Sequence, residues 1–289
     1  MKRAVRRFVN SLKGRNRNIF FLALILICIA ALCVGIYIQF FYRYSEVDPF
    51  MTFIKIGAQK TAEEIVVLSS NFNNLFQNTI SINSENVRVD KIEQTKDLAY
   101  TGYSLANEDE NYYTVNAIIP VLNINTPVAK QINNEIKTEF YDKANQVMRQ
   151  NEQYIIYNVS YIAFVNQDVL SIAVKSSLKE ENKSEKVTIK TYTYNIPNEK
   201  IVSLTDLIEL KETTVTTVQD KINKEIKSAD INARIISEEY GSTYERDLSS
   251  DIYKVENTEN FFLTQDGYVY IVYAYGNDNY TNEMDIIIF

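Results

Sequence analysis

Histidine and tryptophan are absent from this chain, and both of its cysteines, Cys28 and Cys33, lie inside one long apolar run. Everything beyond that run therefore has no disulfide, no Cys/His zinc site and no histidine to move protons or activate a nucleophile. Any cation there must be held by oxygen ligands, which suits calcium or magnesium. No GxSxG and no P-loop pattern occurs. The expectation is an outer region with no catalytic residue, no metal and no cofactor, held together by its core alone. A hydrophobic content of 46% is enough to build one.

The apolar run is Ile19 to Phe41, 23 residues without a charge. A bilayer core needs about 20 apolar residues in a helix, so residues 19–41 are long enough to span it and to contact membrane lipid. The flank sets the direction. Residues 1–18 carry Lys2, Arg3, Arg6, Arg7, Lys13, Arg15 and Arg17 and no acid. Basic residues beside a first span stay in the cytoplasm, so this tail is expected inside and the rest outside a cell membrane crossed once. The rival is a cleaved signal peptide. Its apolar core would be about 7–15 residues with a small-x-small cut site, and neither feature is present, so residues 19–41 read as a signal anchor.

The formal charge is −7, but it is divided unevenly. Without the seven basic residues of the tail, 23 basic residues face 37 acids, so the part from Ile19 onward carries about −14. Such a surface excludes nucleic acid as a partner and favours basic proteins or cations.

The outer region reads as α+β: antiparallel sheets packed with two main helices. Residues 42–84 form a connector in which Lys60 to Ile80 looks helical, with Ile65, Leu68, Phe72 and Leu75 on one stripe. That stripe fits a short coiled-coil stalk or one amphipathic helix on its own domain. Residues 85–200 form a first α+β subdomain and residues 201–289 a second. From Val87 the pattern is strand-like, and Tyr112–Pro120 is a strand. Asn125-Thr126-Pro127 starts a helix reaching Met148, with Val128, Ile132, Ile136, Phe140 and Ala144 as its apolar stripe. Three antiparallel strands follow, Tyr154–Val165, Val169–Ser177 and Lys186–Asn195. The loose alternation in the last suits a sheet with one wet face. Pro197 to Lys200 turns into Ile201–Leu204. A second helix covers Thr213–Ser228, and Asp230–Ser250 shows no clear period. Asn260–Thr264 and Tyr268–Tyr275 form a hairpin around Gln265-Asp266-Gly267, and Met284–Phe289 is a last strand.

Ile132-Asn133-Asn134-Glu135-Ile136-Lys137 recurs as Ile222-Asn223-Lys224-Glu225-Ile226-Lys227, and Phe164-x-x-Gln167-Asp168 recurs as Phe262-x-x-Gln265-Asp266. A duplicated helix–hairpin unit and chance in an Asn-, Ile- and Lys-rich chain both account for this.

The run Tyr112–Met148, the three strands and then Tyr194-Asn195-Ile196-Pro197-Asn198-Glu199-Lys200-Ile201-Val202-Ser203-Leu204-Thr205-Asp206-Leu207-Ile208 resemble a paired extracytoplasmic domain of unknown function. That pair forms the exterior of lysozyme-sensing anti-sigma-V factors and precedes the catalytic domain of some peptidoglycan deacetylases. The resemblance covers roughly residues 85–289. It implies the fold and a place at the cell envelope, with lysozyme or peptidoglycan as the partner. Two departures stand out. The 18 residues before the span are too few for a sigma-binding domain. The deacetylase domain is absent, and a chain without histidine lacks its metal ligands.

In the lysozyme-sensing members a loop near the last strands contacts the partner. The matching stretch here is Tyr273 to Tyr280, so Tyr273, Tyr275, Asp278 and Tyr280 are the candidate ligand-binding residues. An acidic, tyrosine-rich loop suits a basic protein. A turn between two core strands has the same composition. Asn107 to Asn111 (NEDEN) fits either an oxygen-ligand site without known spacing or a solvated hairpin tip. With 37 acids, paired carboxylates for glycoside chemistry stay open, and no single pair stands out.

Overall fold

The computed structural model describes residues 72–76, 89–94, 96–240 and 243–289, all within one compact unit, Gln59–Phe289. The expected span 19–41, the basic tail and Val87 lie outside the described residues. So does most of the Lys60–Ile80 helix, including Ile65 and Leu68, although Phe72 to Leu75 are helical. Among the described residues no helix is long and apolar enough to cross a membrane.

The first strand is β1, Ala99–Asp109, later than expected from Val87, and it pairs antiparallel with β2, Tyr113–Leu122. The NEDEN stretch is the tip of this hairpin, where the Asn111 N–H donates to Asp109 Oδ1 at 2.9 Å. A helix then crosses over the sheet. Thr126 caps it, with Oγ1 accepting from the Ala129 N–H at 3.2 Å and Pro127 in the first turn. Such a cap stabilises by about 1 kcal/mol. The helix runs as α1, Pro127–Ile136, through a π-turn at Lys137–Tyr141 into α2, Asp142–Val147. Ile132, Ile136, Phe140 and Ala144 repeat every four residues and are all buried. On a helix of 3.6 residues per turn, each four-residue step drifts by about 40°. The wider π-turn takes up part of that drift and keeps Phe140 and Ala144 facing the sheet.

The crossover makes β3, Ile155–Asn166, parallel to β2, whereas only antiparallel pairs were expected. Parallel neighbours require such a connection. From β3 the sheet continues antiparallel through β4, Val169–Glu180, and β5, Lys186–Asn195, to β6, Lys200–Ile201. The stretch Ile201–Leu204 that the expected turn leads into is strand only at Ile201, because Ser203 caps a helix. Its Oγ accepts from the Asp206 N–H, and Asp206 Oδ2 accepts from the Ser203 N–H at 2.7 Å. This capping box opens α3, Leu204–Leu210.

Helix α4, Val215–Tyr240, exceeds the expected Thr213–Ser228 by three turns. Its buried stripe of Val218, Ile222 and Ile226 continues as the polar Asp230 and the small Ala233, which is why Asp230 onward has no evident apolar period in the sequence. Two 3-10 turns, Asp251–Tyr253 and Val255–Asn257, lead to an antiparallel meander: β7, Phe261–Leu263; β8, Val269–Ala274; and β9, Met284–Ile288. Between β8 and β9 lies a short helix, α5, Gly276–Asn279.

Two cores result. The first, between α1–α2 and the six-stranded sheet, gathers Ile132, Ile136, Phe140, Tyr157, Ile172 and Tyr194. The second gathers Leu207, Ile222, Ile226, Phe261, Ile271 and Tyr275. The six-stranded sheet keeps the wet face expected for it only in part: Asn116 and Asn158 are exposed there, but the β4–β5 end is covered. The face opposite α1 receives the outer edge of β7 on hydroxyls. Ser171 Oγ accepts from the Leu263 N–H at 3.0 Å, Thr191 Oγ1 from the Phe261 N–H at 2.8 Å, and Thr193 Oγ1 donates to the Phe261 carbonyl at 3.2 Å. The threonines that loosen the alternation of β5 are thus partners of another strand, Thr193 buried and Thr191 half-buried.

Candidate functional site

The candidate loop runs from β8 through α5 to β9, and its residues divide sharply. Tyr273 and Tyr275 are buried, with 8% and 2% of their surface exposed, so neither offers a contact to a partner as expected. The reason is position: both extend β8 into the second core. The Tyr273 hydroxyl pairs with Thr258 Oγ1 at 3.0 Å. Tyr275 stacks on Tyr244 with ring centroids 4.1 Å apart, and its hydroxyl lies 3.0 Å from that of Tyr253 and 2.5 Å from Asp285 Oδ2. Arg246, also buried, gives Asp285 two hydrogen bonds, at 2.8 and 3.0 Å, and reaches Glu283 at 3.4 Å. Burial alone lowers the pKa of such a guanidinium. The Asp285 hydrogen bond and charge outweigh that and raise it, so Arg246 stays charged. Burial, then Asp285, pushes the Tyr275 phenol far up, so it stays a neutral donor. This is a satisfied polar network inside a core. The sequence scatters its members between positions 244 and 285, with no spacing that announces them.

Tyr280 is exposed. It takes a left-handed backbone, φ 48°, and its hydroxyl bonds Glu180, which raises the phenol pKa. The ammonium groups of Lys183 and Lys186 sit 5.0 and 5.7 Å from its ring centroid. Two cations of the same chain therefore already occupy the aromatic face that a basic partner would use. The backbone of Asp278 lies in α5. The topology residues Lys2, Arg3, Arg6, Arg7, Lys13, Arg15 and Arg17 lie outside the described residues. Among the described residues no group of three or more Asp, Glu, His or Cys side chains is arranged to hold a metal ion.

Another opening lies elsewhere, and it was not anticipated. A cleft of about 710 Å³ lies between α1 and the turn before β7, with Tyr192 of β5 in its lining. Glu135 and Glu139 stand on the α1 side and Glu256 and Glu259 on the other, against one cation, Lys190, whose Nζ is 3.8 Å from Glu259. Burial, then the charges of Glu135 and Glu139, pushes the Tyr192 hydroxyl up, so it stays protonated and able to donate. A second polar hollow of about 570 Å³ shares Thr138 and Glu139 with the first and adds Lys186, Thr188 and Asn277. Lys186, Thr188, Lys190 and Tyr192 alternate along β5, so the two hollows follow one strand for about 20 Å. Glu135 and Glu139 are one helical turn apart, and their counterparts come from a segment about 120 residues away.

No family model matches the chain, and no curated protein matches it. Among solved structures it is similar to a DUF3298 family protein from Pseudomonas aeruginosa, at 14% identity and a TM-score of 0.36. The match covers 66% of this chain and 87% of that one. It is also similar to a DUF3298 family member from Bacteroides fragilis, at 12% identity and a TM-score of 0.31, over 61% of this chain and 79% of the other.

Proposed function

We propose that this protein is a membrane-anchored, non-catalytic binding protein of the cell envelope whose outer unit takes a cationic ligand in the cleft beside β5. The observation that carries the reading is the placement of Glu135, Glu139, Glu256 and Glu259 on both sides of Tyr192. A basic side chain entering there meets carboxylates on two sides and an aromatic face with a hydroxyl donor, which is the chemistry that recognises lysine and arginine. The anchor reading is supported by the apolar run 19–41 and its basic flank. The resemblance to lysozyme-sensing exteriors makes a basic protein such as lysozyme the first ligand to try.

The test is calorimetric titration of the full chain in lipid nanodiscs with lysozyme, at low and moderate salt. Saturable binding that weakens with salt is expected, because rim charges are screened beyond about 10 Å at 0.1 M salt. The double variant Glu256→Gln/Glu259→Gln should lose most of it, and Tyr280→Ala should not. Absence of heat, or equal binding by the glutamine variant, overturns the reading. Release of sugar fragments from purified cell wall would make the protein an enzyme acting through carboxylates instead.

A further inference from the structure

The two hollows along β5 differ in charge. At the Tyr192 end Glu135, Glu139, Glu256 and Glu259 face one cation, Lys190. The smaller hollow around Thr188 holds two cations, Lys143 and Lys186. Its acids are Glu139, shared with the first hollow, and Asp142, which Lys137 holds at 3.0 Å. Neither Lys143 nor Lys186 forms an ion pair among the described residues. Lys186 rests 5.7 Å from the Tyr280 ring centroid, and Glu180, the carboxylate that Tyr280 bonds, is taken by Lys183 at 3.0 Å. In a chain of net charge −7, two half-buried lysines without a carboxylate are left for a ligand to pair.

The strand fixes the distance between the two ends. Among the described residues β6 pairs with β5 only at Tyr194 and Asn195, so no strand lines the outer edge of β5 from Lys186 to Thr193. Simple strand addition is blocked there. The outward N–H groups of Val187 and Thr191 already donate to the Thr281 carbonyl at 3.1 Å and to Asn260 Oδ1 at 3.2 Å. A ligand is therefore gripped by side chains. From Lys186 to Lys190 or Tyr192 is about 13 to 20 Å of strand, which one amino acid cannot bridge and about four to six extended residues can. We propose that this groove takes an extended peptide of mixed charge, with a lysine or arginine side chain at Tyr192 and a carboxylate about four residues away on Lys143 and Lys186. Charge complementarity at both ends selects this occupant. A ligand that is basic throughout would meet the two lysines with like charge. The proposal rests on the cationic-ligand reading above and names the class of that ligand.

The test is fluorescence anisotropy of the full chain in nanodiscs with dye-labelled, end-blocked pentapeptides, each made in both chain directions. The first carries lysine and aspartate at its two ends. The second replaces the aspartate with asparagine, and the third sets aspartate beside lysine. A fourth replaces the aspartate with an unblocked carboxyl terminus, and the tighter of the first and fourth names the source of the carboxylate. The first or the fourth should bind about fivefold more tightly than the second, the upper end for partly exposed ion pairs. The third should show no such gain. Lys143→Gln/Lys186→Gln should bring the tighter peptide down to the level of the second and leave the second unchanged, which also shows that the variant is folded. If neither carboxylate peptide gains over the second, or if the gain persists in the lysine variant, the proposal is overturned. The cationic-ligand reading then still stands if the second peptide binds and needs Glu256 and Glu259. If lysozyme and every lysine-bearing peptide fail to bind, that reading falls and the proposal falls with it.

Discussion

The Tyr275 hydroxyl donates to Asp285 Oδ2 at 2.5 Å, on a carboxylate that also takes two hydrogen bonds from the buried Arg246. The same tyrosine looks like a ligand contact in the sequence and is a core residue in the fold, and the two roles predict different results. Removing Asp285 leaves the Arg246 charge buried with Glu283 alone, so Asp285→Ala should cost about 3–5 kcal/mol in urea unfolding. Tyr275→Phe leaves a carboxylate and a phenol short of a partner and should cost about 1–3 kcal/mol. A stable Tyr275→Phe with altered ligand binding would return Tyr275 to the binding surface.

Ionisation of Tyr275 gives the same network a pH signature. Its folded pKa is raised above the ordinary 10.0, so the stability it contributes is fully present below pH 10. Above pH 10 the unfolded chain releases this proton while the folded chain keeps it, so stability falls as pH rises. Urea midpoints between pH 8 and pH 11 should drop less for Tyr275→Phe than for the natural chain. Parallel declines would remove Tyr275 from that linkage.

The acid limb belongs in part to the capping box. Hydrogen bonds from the Ser203 side chain and backbone hold Asp206 below its ordinary 3.8. Its contribution is therefore present above about pH 4 and lost as pH falls through the folded value. Asp206→Asn and Ser203→Ala should each cost about 1 kcal/mol at neutral pH. Asp206→Asn should also flatten the acid limb, as urea titrations at pH 3 to 6 would read.

How much of this was legible in the sequence depends on how local each cause is. The start of α1 was, because Thr126 and Pro127 act within one turn, and so were the three strands from β3 to β5, which are long runs rich in β-branched and aromatic residues. The hairpin β7–β8 was given by Gly267, which takes φ 84° at its turn. Ser203 and Asp206 spell a capping box too, but the apolar Ile201 and Val202 beside them suggest a strand. What was not legible depends on the partner. Thr191 and Thr193 look like a wet strand face until β7 arrives from 70 residues on. Tyr273 and Tyr275 look like a loop surface until Arg246 and Tyr253 surround them. The cleft is the extreme case, since its two acidic sides share no sequence neighbourhood.

The hydroxyls that receive β7 make a fourth prediction. Ser171→Ala leaves the Leu263 N–H without its acceptor in a buried setting, and Thr193→Val removes a donor from the Phe261 carbonyl. Each should cost about 1–3 kcal/mol. Hydrogen exchange should locate the loss: the Leu263 amide should speed up in Ser171→Ala while the Ile172 amide, inside the β4 ladder, should not. Equal acceleration at both would mean general loosening rather than loss of one acceptor.

Gly276 decides whether the loop before β9 can lie against β5 at all. A Cβ there would sit 2.1 Å from the Val187 carbonyl oxygen and 2.7 Å from its nitrogen, both backbone atoms that have no rotamer to change. Around this approach the Val187 N–H donates to the Thr281 carbonyl at 3.1 Å and Thr188 Oγ1 to Asn277 Oδ1 at 3.3 Å. Gly276→Ala must push the two backbones apart and break both bonds, which places its cost at or beyond the upper end of the about 1–3 kcal/mol usual for overpacking. Gly102→Ala is the control. Its Cβ would also meet an atom at 2.1 Å, but that atom is Cγ2 of Val121, a side chain beside a bulge in β1. Rotation of Val121 relieves much of that overlap, so its cost should be smaller. Urea midpoints of the two variants, with exchange of the Val187 amide, read the difference. If Gly276→Ala is no worse than Gly102→Ala and Val187 stays protected, the close approach is not what holds the loop. Tyr280 and its contact with Glu180 would then be the remaining tie.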